Sequence, residues 1–336
     1  MVVGDNLMNN HIITIDTGTT NTRIILWKDM ELVDISKISI GVRNTVIEGN
    51  NSVLKQAIKQ GLEQLLNINN LNYDNISKIM AGGMITSNVG LIEIPHLTAP
   101  VGIMELRKGV RDVLIEEICP IPISFIPGVK NKVNCINLST FEQMDIMRGE
   151  EIETIALMDK IDSDCGCVIV LPGSHTKFVK VDGSKKIVAC LTTLTGEILS
   201  AITNDTIIAD AVEKKFVSKE EYDKDMLLLG FNTAVKTGLS RAVFSSRIIN
   251  QFCEDNKAKI ANYVLGAVLQ SDIEAVKKSA SLDINGSEHI IVSGKSPFRQ
   301  AFADIFRCDG TFKNVTEITP KDSEPLSGIG ALMLCN

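Results

Sequence analysis

His11-Ile12-Ile13-Thr14-Ile15-Asp16-Thr17-Gly18-Thr19-Thr20-Asn21-Thr22-Arg23-Ile24-Ile25-Leu26-Trp27 sets the architecture of the chain. Two β-rich runs, Ile12–Ile15 and Arg23–Trp27, flank a polar segment that contains a glycine, which predicts a hairpin with a turn-forming tip. Leu32–Ile40 reads as a third antiparallel strand after the break at Asp29-Met30. The pattern then returns far down the chain. Cys167–Leu171 is a strand, Pro172-Gly173-Ser174-His175-Thr176 a tight polar turn, Lys177–Val181 a strand and Ile187–Thr193 another. A strand-turn-strand unit that occurs twice is the mark of an internal duplication.

Around these hairpins the hydrophobic period changes. Val53, Leu54, Ala57, Ile58, Leu62, Leu65 and Leu66 share one face at helical spacing, predicting a helix over Ser52–Asn67. Ser77–Ala81 and Ile121–Ile126 read as strands, and a helix is expected to begin near Met147. In the second half, helices are expected over Gly196–Val212, from Phe231–Lys236 onward and over Asn262–Ser279. A strand Ile290–Val292 then runs into a helix Pro297–Phe306 with Ser296 as its N-cap. Strands and helices mixed in this way give an α/β chain, and 336 residues are enough for about two domains. We expect domains over 11–146 and 147–326, divided after the loop Gly128–Asp145, with 327–336 a helix that packs back on the first domain.

Composition narrows the function. With 34 Lys+Arg against 41 Asp+Glu, a net charge of -7 and no basic block, the chain has no footprint for gripping nucleic acid. Its apolar runs are too short to span a bilayer, and Met1–Asn10 carries Asp5 and no apolar core of a signal peptide, so a frayed lead-in and a cytoplasmic protein are expected. The eight cysteines include no C-x-x-C, only the close pair Cys165 and Cys167, and read as reduced thiols rather than a disulfide framework or zinc site.

Several clusters carry potential chemistry. Asp16 at a strand end, followed by Gly18, Thr19, Thr20 and Asn21, offers a carboxylate for hydrated Mg²⁺ beside a nest of donors for polyphosphate. The second turn offers hydroxyls from Ser174 and Thr176, close backbone approach at Gly173, and charge from His175 and Lys177. Each turn alone could be an ordinary β-turn, but two of them suit a clamp on phosphates. In Met147-Arg148-Gly149-Glu150-Glu151, the acids could simply favour a helix N-terminus, or serve as a base with Arg148 as an anion clamp. Ala81–Gly90, with Ser87 and Asn88, could meet sugar hydroxyls or be a surface turn. Gly294-Lys295-Ser296 looks like the tail of a P-loop, but the required earlier glycine position is His289. His96 is more in keeping with a packed or surface histidine than a ligand.

These residues together resemble the actin/hexokinase/chaperone ATPase superfamily. Asp16-x-Gly18-Thr19-Thr20-Asn21 is similar to its first phosphate hairpin, Pro172–Lys177 to its second, and Val292-Ser293-Gly294 to the strand end beside adenosine. More narrowly the chain resembles the 2-dehydro-3-deoxygalactonokinase family, on Ala-Gly-x-Met-x-x-Ser-Asn-Val-Gly at 81–90, Pro-x-Leu-x-x-Pro at 95–100, Ile-Pro-Gly at 126–128, Met-Arg-Gly-Glu-Glu at 147–151, Pro-Gly-Ser-His-Thr-Lys at 172–177 and Thr-Gly-Glu at 195–197. It departs from the family at Thr17 and Phe178, where tryptophan is frequent.

The resemblance implies two duplicated ribonuclease H-like (actin-like ATPase) domains, each on a five-stranded mixed sheet, with a cleft between them for ATP, Mg²⁺ and a sugar acid. It implies an ATP-dependent kinase acting on the terminal hydroxyl of 2-dehydro-3-deoxygalactonate, with homodimerisation compatible with that role. Asp16 would organise Mg²⁺ through water. Gly18, Thr19, Thr20, Asn21, Gly173, Ser174 and Thr176 would meet the nucleotide phosphates, with Ser293 and Gly294 at the adenosine. Lys177 would relieve transition-state charge, and Glu150 or Glu151 would act as base with Asp16 as rival. Ser87 and Asn88 would bind sugar hydroxyls, and Arg148 with His175 the carboxylate and keto group. The competing readings are another sugar or sugar-acid kinase of the same superfamily, for example one for the gluconate epimer, and a non-catalytic nucleotide-gated binding or filament protein.

Overall fold

The structure is a computed structural model, and it describes residues 11–161, 166–321 and 325–335. The lead-in Met1–Asn10 and Cys165 of the close cysteine pair lie outside the described residues. The chain divides into two compact units. The first comprises the described residues of Met1–Lys130, Ile146–Asp162 and Lys321–Asn336, and the second those of Asn131–Asp145 and Ser163–Pro320.

In the first unit the opening hairpin forms as its pattern dictates. β1 (His11–Thr17) and β2 (Thr22–Lys28) pair antiparallel, with Asp16 opposite Arg23 and Thr17 opposite Thr22. β3 (Glu31–Ile38), α1 (Val42–Glu48), α2 (Ser52–Ile68) and β4 (Ile76–Gly83) follow. Next come β5 (Leu97–Thr98), α3 (Ile103–Gly109), β6 (Arg111–Val113), β7 (Ile123–Phe125), β8 (Val129–Lys130), β9 (Ile146–Met147) and α4 (Glu150–Lys160). The main sheet has the order β3-β2-β1-β4-β7-β6, one strand more than the five expected, because β6 adds antiparallel to β7. Met147 lies in β9, paired with Val129, so the helix expected near it starts three residues later.

Alternation in β1 and β2 sends Ile13, Ile15, Ile24 and Leu26 to one face, where α2 buries Leu54, Ile58, Leu62, Leu65 and Leu66 against them. Burying each of these five α2 side chains contributes about 1.5–3 kcal/mol. Val53, expected in that stripe, is only half-buried.

In the second unit β10 (Cys167–Leu171), β11 (Thr176–Val181) and β12 (Ile187–Thr193) repeat the antiparallel opening. The helices are α5 (Thr195–Asp205), α6 (Lys224–Thr237), α7 (Leu239–Phe252) and α8 (Lys257–Lys278). The helix expected over 196–212 ends at Asp205, and a separate short turn spans Ala209–Val212. β13 (His289–Ser293), α9 (Phe298–Asp309) and β14 (Val315–Ile318) complete a sheet ordered β12-β11-β10-β13-β14. Ser296 is not the N-cap of α9. Pro297 holds that position without a side-chain cap bond, and the Ser296 hydroxyl instead accepts from Arg299 Nη2 at 3.2 Å. The two sheets share the sequence of three antiparallel strands followed by parallel ones, as duplication requires.

Asn131–Asp145 belongs to this second unit for a definite reason. The Asn131 side chain exchanges hydrogen bonds with the Cys190 backbone (2.7 and 2.9 Å), and Asp145 Oδ2 accepts from Thr192 N at 2.6 Å. The loop thereby occupies backbone groups of the edge strand β12, which would otherwise invite pairing with another chain.

α10 (Leu326–Met333) belongs to the first unit. It covers the other face of β1 and β2, where Ile25, Trp27 and Leu332 cluster and Trp27 Nε1 donates to Thr14 Oγ1 at 2.8 Å. α4 joins the same unit, although the sequence reading opens the second domain at Met147. A Cβ on Gly330 would stand 2.0 Å from the Ile152 carbonyl oxygen, so α10 and α4 touch backbone to backbone. No helix among the described residues is long and apolar enough to cross a membrane.

Candidate active site

The tips of the two hairpins are built alike. In the first, Gly18 N donates to Asn21 O at 2.8 Å, closing the turn, and Thr19, Thr20 and Asn21 face solvent. The first backbone amides of α1 reach back to the tip, Val42 N to Gly18 O at 3.2 Å and Arg43 N to Thr19 O at 2.9 Å. Only glycine fits at 41, because a Cβ there would meet Gly18 O and Thr19 O at 2.5 and 2.6 Å. In the second, Gly196 N and Glu197 N at the start of α5 donate to Ser174 O at 3.0 and 3.4 Å, and a Cβ on Gly196 would lie 2.7 Å from Ser174 Cα. Helix amides that would otherwise lack partners thus hold each tip from behind.

The chemistry around the tips differs. Asp16 Oδ2 accepts from Arg23 Nη2 and from Ser327 Oγ, each at 3.0 Å, and its side chain is partly exposed. Nearby on α4, burial first, then the Asp16 charge, push the Glu153 carboxyl up to about 8. Glu151 is fully buried. Its carboxyl accepts from Gly149 N through both oxygens at 2.9 Å, and burial, then the Glu150 charge, push it to about 8 as well. Glu150 is half-buried and accepts from Arg148 N at 3.1 Å. Gly149 can bridge these residues because its φ of +108° suits glycine alone.

Arg148 is brought together with Thr86, Ile94 and His96. It donates to Thr86 Oγ1 at 2.8 Å and Ile94 O at 2.7 Å, and its Nη2 lies 3.4 Å from His96 Nδ1; burial holds the guanidinium below its ordinary range. His96 is therefore a site neighbour that its sequence context, Pro95-His96-Leu97, did not announce. Ser87 is buried with its hydroxyl turned to Met84 O at 2.7 Å, and Asn88 is exposed.

The second tip opens on a cavity of about 280 Å³, lined by Gly173, Ser174 and Gly196, by Ser200, Thr203 and Asn204 of α5, and by Lys214, Phe216 and Phe298. Phe216 and Phe298 stack with centroids 5.0 Å apart. Such a cavity, apolar at one wall and polar at the other, suits a flat heterocycle with a polar appendage. Ser293 and Gly294 are not in its lining. Ser293 is buried, and Gly294, at φ +133°, packs on Pro172 while its carbonyl accepts from Arg299 Nη1.

Thr176 is buried, and its Oγ1 accepts from Gly173 N at 3.5 Å. Lys177 is buried in the hairpin stem, where Nζ donates to Thr192 Oγ1 at 2.6 Å, which in turn donates to Asp145 Oδ1 at 2.7 Å. His175 is exposed and pairs with Glu197 at 2.7 Å. Thr195 Oγ1 donates to buried Asp272 at 2.7 Å; burial raises that carboxyl to about 6. Sequence reasoning missed Asp272, Lys214 and Phe216. Only Thr-Gly-Glu at 195–197 pointed to their neighbourhood.

The family model for 2-keto-3-deoxy-galactonokinase matches residues 16–322. Among solved structures, a Sinorhizobium meliloti protein provisionally described as a 2-dehydro-3-deoxygalactonokinase superposes with a TM-score of 0.73 at 17% identity, covering 96% of this chain and 98% of that one. A Porphyromonas gingivalis protein provisionally described as an N-acetylglucosamine kinase gives 0.50 at 12% identity, covering 97% and 99%. These two likenesses show a shared fold. No curated protein sequence matches the chain.

Proposed function

The chain belongs to the 2-keto-3-deoxy-galactonokinase family, a family of ATP-dependent sugar-acid kinases, and on that premise we propose that it phosphorylates the terminal 6-hydroxyl of 2-dehydro-3-deoxy-D-galactonate. The products are 2-dehydro-3-deoxy-6-phosphogalactonate and ADP. The observation that carries the nucleotide half of this reading is the lining shared by the second hairpin and the cavity: Gly173 and Ser174 stand beside Phe216 and Phe298. Adenosine fits the aromatic wall, and its phosphates then run toward the tip at Ser174, with Thr176 holding the turn.

The first unit supplies the acidic and sugar-facing groups. Asp16, partly exposed beside Arg23, and Glu150, half-buried beside Arg148, are the carboxylates suited to a divalent ion carrying its own water, while Glu153, raised to about 8, stays protonated near neutral pH. Both side-chain bonds that Asp16 makes among the described residues fall on Oδ2, and the Asp16 carboxylate would hold a hydrated Mg²⁺. Mg²⁺, when bound, neutralises charge on the transferring phosphoryl group.

Of the paired glutamates, Glu150 is the reachable base and Glu151 a buried brace for Gly149. The sugar oxygen attacks the γ-phosphorus, the bond to the ADP oxygen breaks, and the hydroxyl proton passes to Glu150. Arg148, steadied by Thr86 and near His96, meets the substrate carboxylate, with Ser87 and Asn88 on the turn that follows Thr86 meeting its hydroxyls. Lys177 contributes positive potential from the hairpin stem, and His175 acts from the exposed tip. An enzyme that consumes ATP in sugar-acid breakdown works in the cytoplasm.

An ADP-coupled assay with Mg·ATP tests the reading, comparing the galactonate substrate, its gluconate epimer and no acceptor. We expect turnover with the galactonate form, lowered about a thousandfold by Asp16→Asn. Equal turnover on both epimers overturns the stereochemical assignment, and ADP release without acceptor overturns the kinase reaction.

A further inference from the structure

Asp272 is a carboxylate with no part in the proposed phosphoryl transfer, yet it is placed with care. It stands on α8 and is only 4% exposed. Its partners are hydroxyls: Thr195 Oγ1 donates to Oδ2 at 2.7 Å, and the Thr193 hydroxyl bonds to the same carboxylate. The two threonine oxygens lie 3.0 Å from each other. A carboxylate only accepts, so both hydroxyls can turn toward it at once, whereas an amide would set a donor against one of them. Burial raises this carboxyl to about 6, a penalty that an apolar residue on α8 would avoid.

The turn that Asp272 grips leads to the second hairpin tip by two routes. Thr193 ends β12 and pairs in register with Thr176, whose Oγ1 accepts from Gly173 N. Thr195 opens α5, and the next two amides, Gly196 N and Glu197 N, donate to Ser174 O. Both routes end on the residues that line the cavity, Gly173 and Ser174. Leu194 between the threonines is 50% exposed, so burial of the middle residue does not fix the turn, and α5 has no side-chain bond at its N-cap. The threonine pair on Asp272 is the side-chain anchor of that turn.

We propose that Asp272 is a positioning residue for nucleotide binding: through Thr193 and Thr195 it fixes where α5 begins, and with it the Ser174 tip and the wall of Gly196, Ser200, Thr203 and Asn204. The proposal rests on the reading of that cavity as the nucleotide site. Asp272 is not in the cavity lining, so its effect on ATP passes through α5. A tip displaced by a fraction of an ångström loses contacts that only a fixed geometry supplies.

Calorimetric titration of ADP into the full chain tests this, with the melting temperature of each variant measured in parallel. Asp272→Ala and Thr195→Val should each weaken ADP binding about tenfold, and the double variant no further, because both remove one bond. Thr195→Ser keeps the hydroxyl and should bind as the wild type does. KM for ATP should follow the ADP affinity while KM for the sugar acid stays unchanged. Asn262→Ala is the control. Asn262 is fully buried on the same helix but bonds to Asp223 N and Glu221 O, so its loss should lower the melting temperature and leave ADP binding intact. Wild-type ADP affinity in Asp272→Ala and Thr195→Val overturns the proposal and leaves the nucleotide reading standing. So do additive losses in the double variant, and so does an equal loss of affinity in Asn262→Ala. A wild-type chain that does not bind ADP overturns the nucleotide reading and the proposal with it. If Asp272→Ala does not fold, Asp272→Asn, which keeps one acceptor, takes its place with a smaller loss expected.

Discussion

The hairpins at Asp16–Thr22 and Leu171–Thr176 are held from behind by the same device, a helix start whose glycine, 41 or 196, leaves room for the tip carbonyls. What they carry is opposite. The first has a carboxylate at its stem, tied to Arg23 and Ser327, with further glutamates close by. The second has an ammonium at its stem, Lys177, and opens on an aromatic-walled cavity. The part that fixes backbone position is thus shared between the two hairpins, and the charge at the stem is not.

Removing each charge in turn should separate the two hairpins most strongly. Asp16→Asn should lower kcat on the order of a thousandfold with little change in KM for ATP, whereas Lys177→Met should cost about a hundredfold. Steady-state kinetics on both substrates checks this, and equal losses would mean that the stems are not functionally distinct. Next come the braces. Gly196→Ala should raise KM for ATP about tenfold, since it displaces the tip that lines the cavity, while Gly41→Ala should act mainly on kcat. If both moved KM for ATP alike, the assignment of nucleotide binding to the second hairpin would fail.

The smallest expected effect separates the two units by pH. Glu151 and Glu153 rise from an ordinary 4.5 to about 8, so the folded protein binds more protons than the unfolded chain between these values. Stability from these groups is complete below about 4.5 and is lost as pH rises through about 8. Asp272 rises from 3.8 to about 6, so its loss is finished two pH units earlier. Melting temperatures should therefore decline less steeply from pH 6 to 8 in Glu151→Gln, and less steeply from pH 4 to 6 in Asp272→Asn. Indistinguishable slopes would show that the burial of these carboxyls is relieved by water.

Much of this was legible in the sequence where structure is local. The tips announce themselves by glycine and hydroxyl residues between apolar runs, and α2 by its period. The two phosphate-like turns and the Arg148–Glu151 segment could be found for the same reason. What stayed hidden depends on contacts between residues distant in sequence. Nothing local to Glu150–Lys160 says that Ile152 will lie against Gly330, so the pattern alone does not assign that helix to the first unit. Nothing in Asn131 or Asp145 says that they will satisfy the backbone of β12. Phe216 sits in a stretch with little periodicity, and only the cavity gives it a role. Glu150 and Glu151 look equivalent as neighbours in a motif, and only burial tells them apart.

The bond from Ser327 to Asp16 joins residues 311 positions apart. A ribosome adding about 5–20 residues per second needs about 15–60 s to travel that distance. Throughout that interval the nascent first unit lacks α10, so Ile25 and Trp27 must wait without their cover. Any product of translation cut short before Leu326 therefore lacks both the cover over Trp27 and the hydroxyl that steadies Asp16.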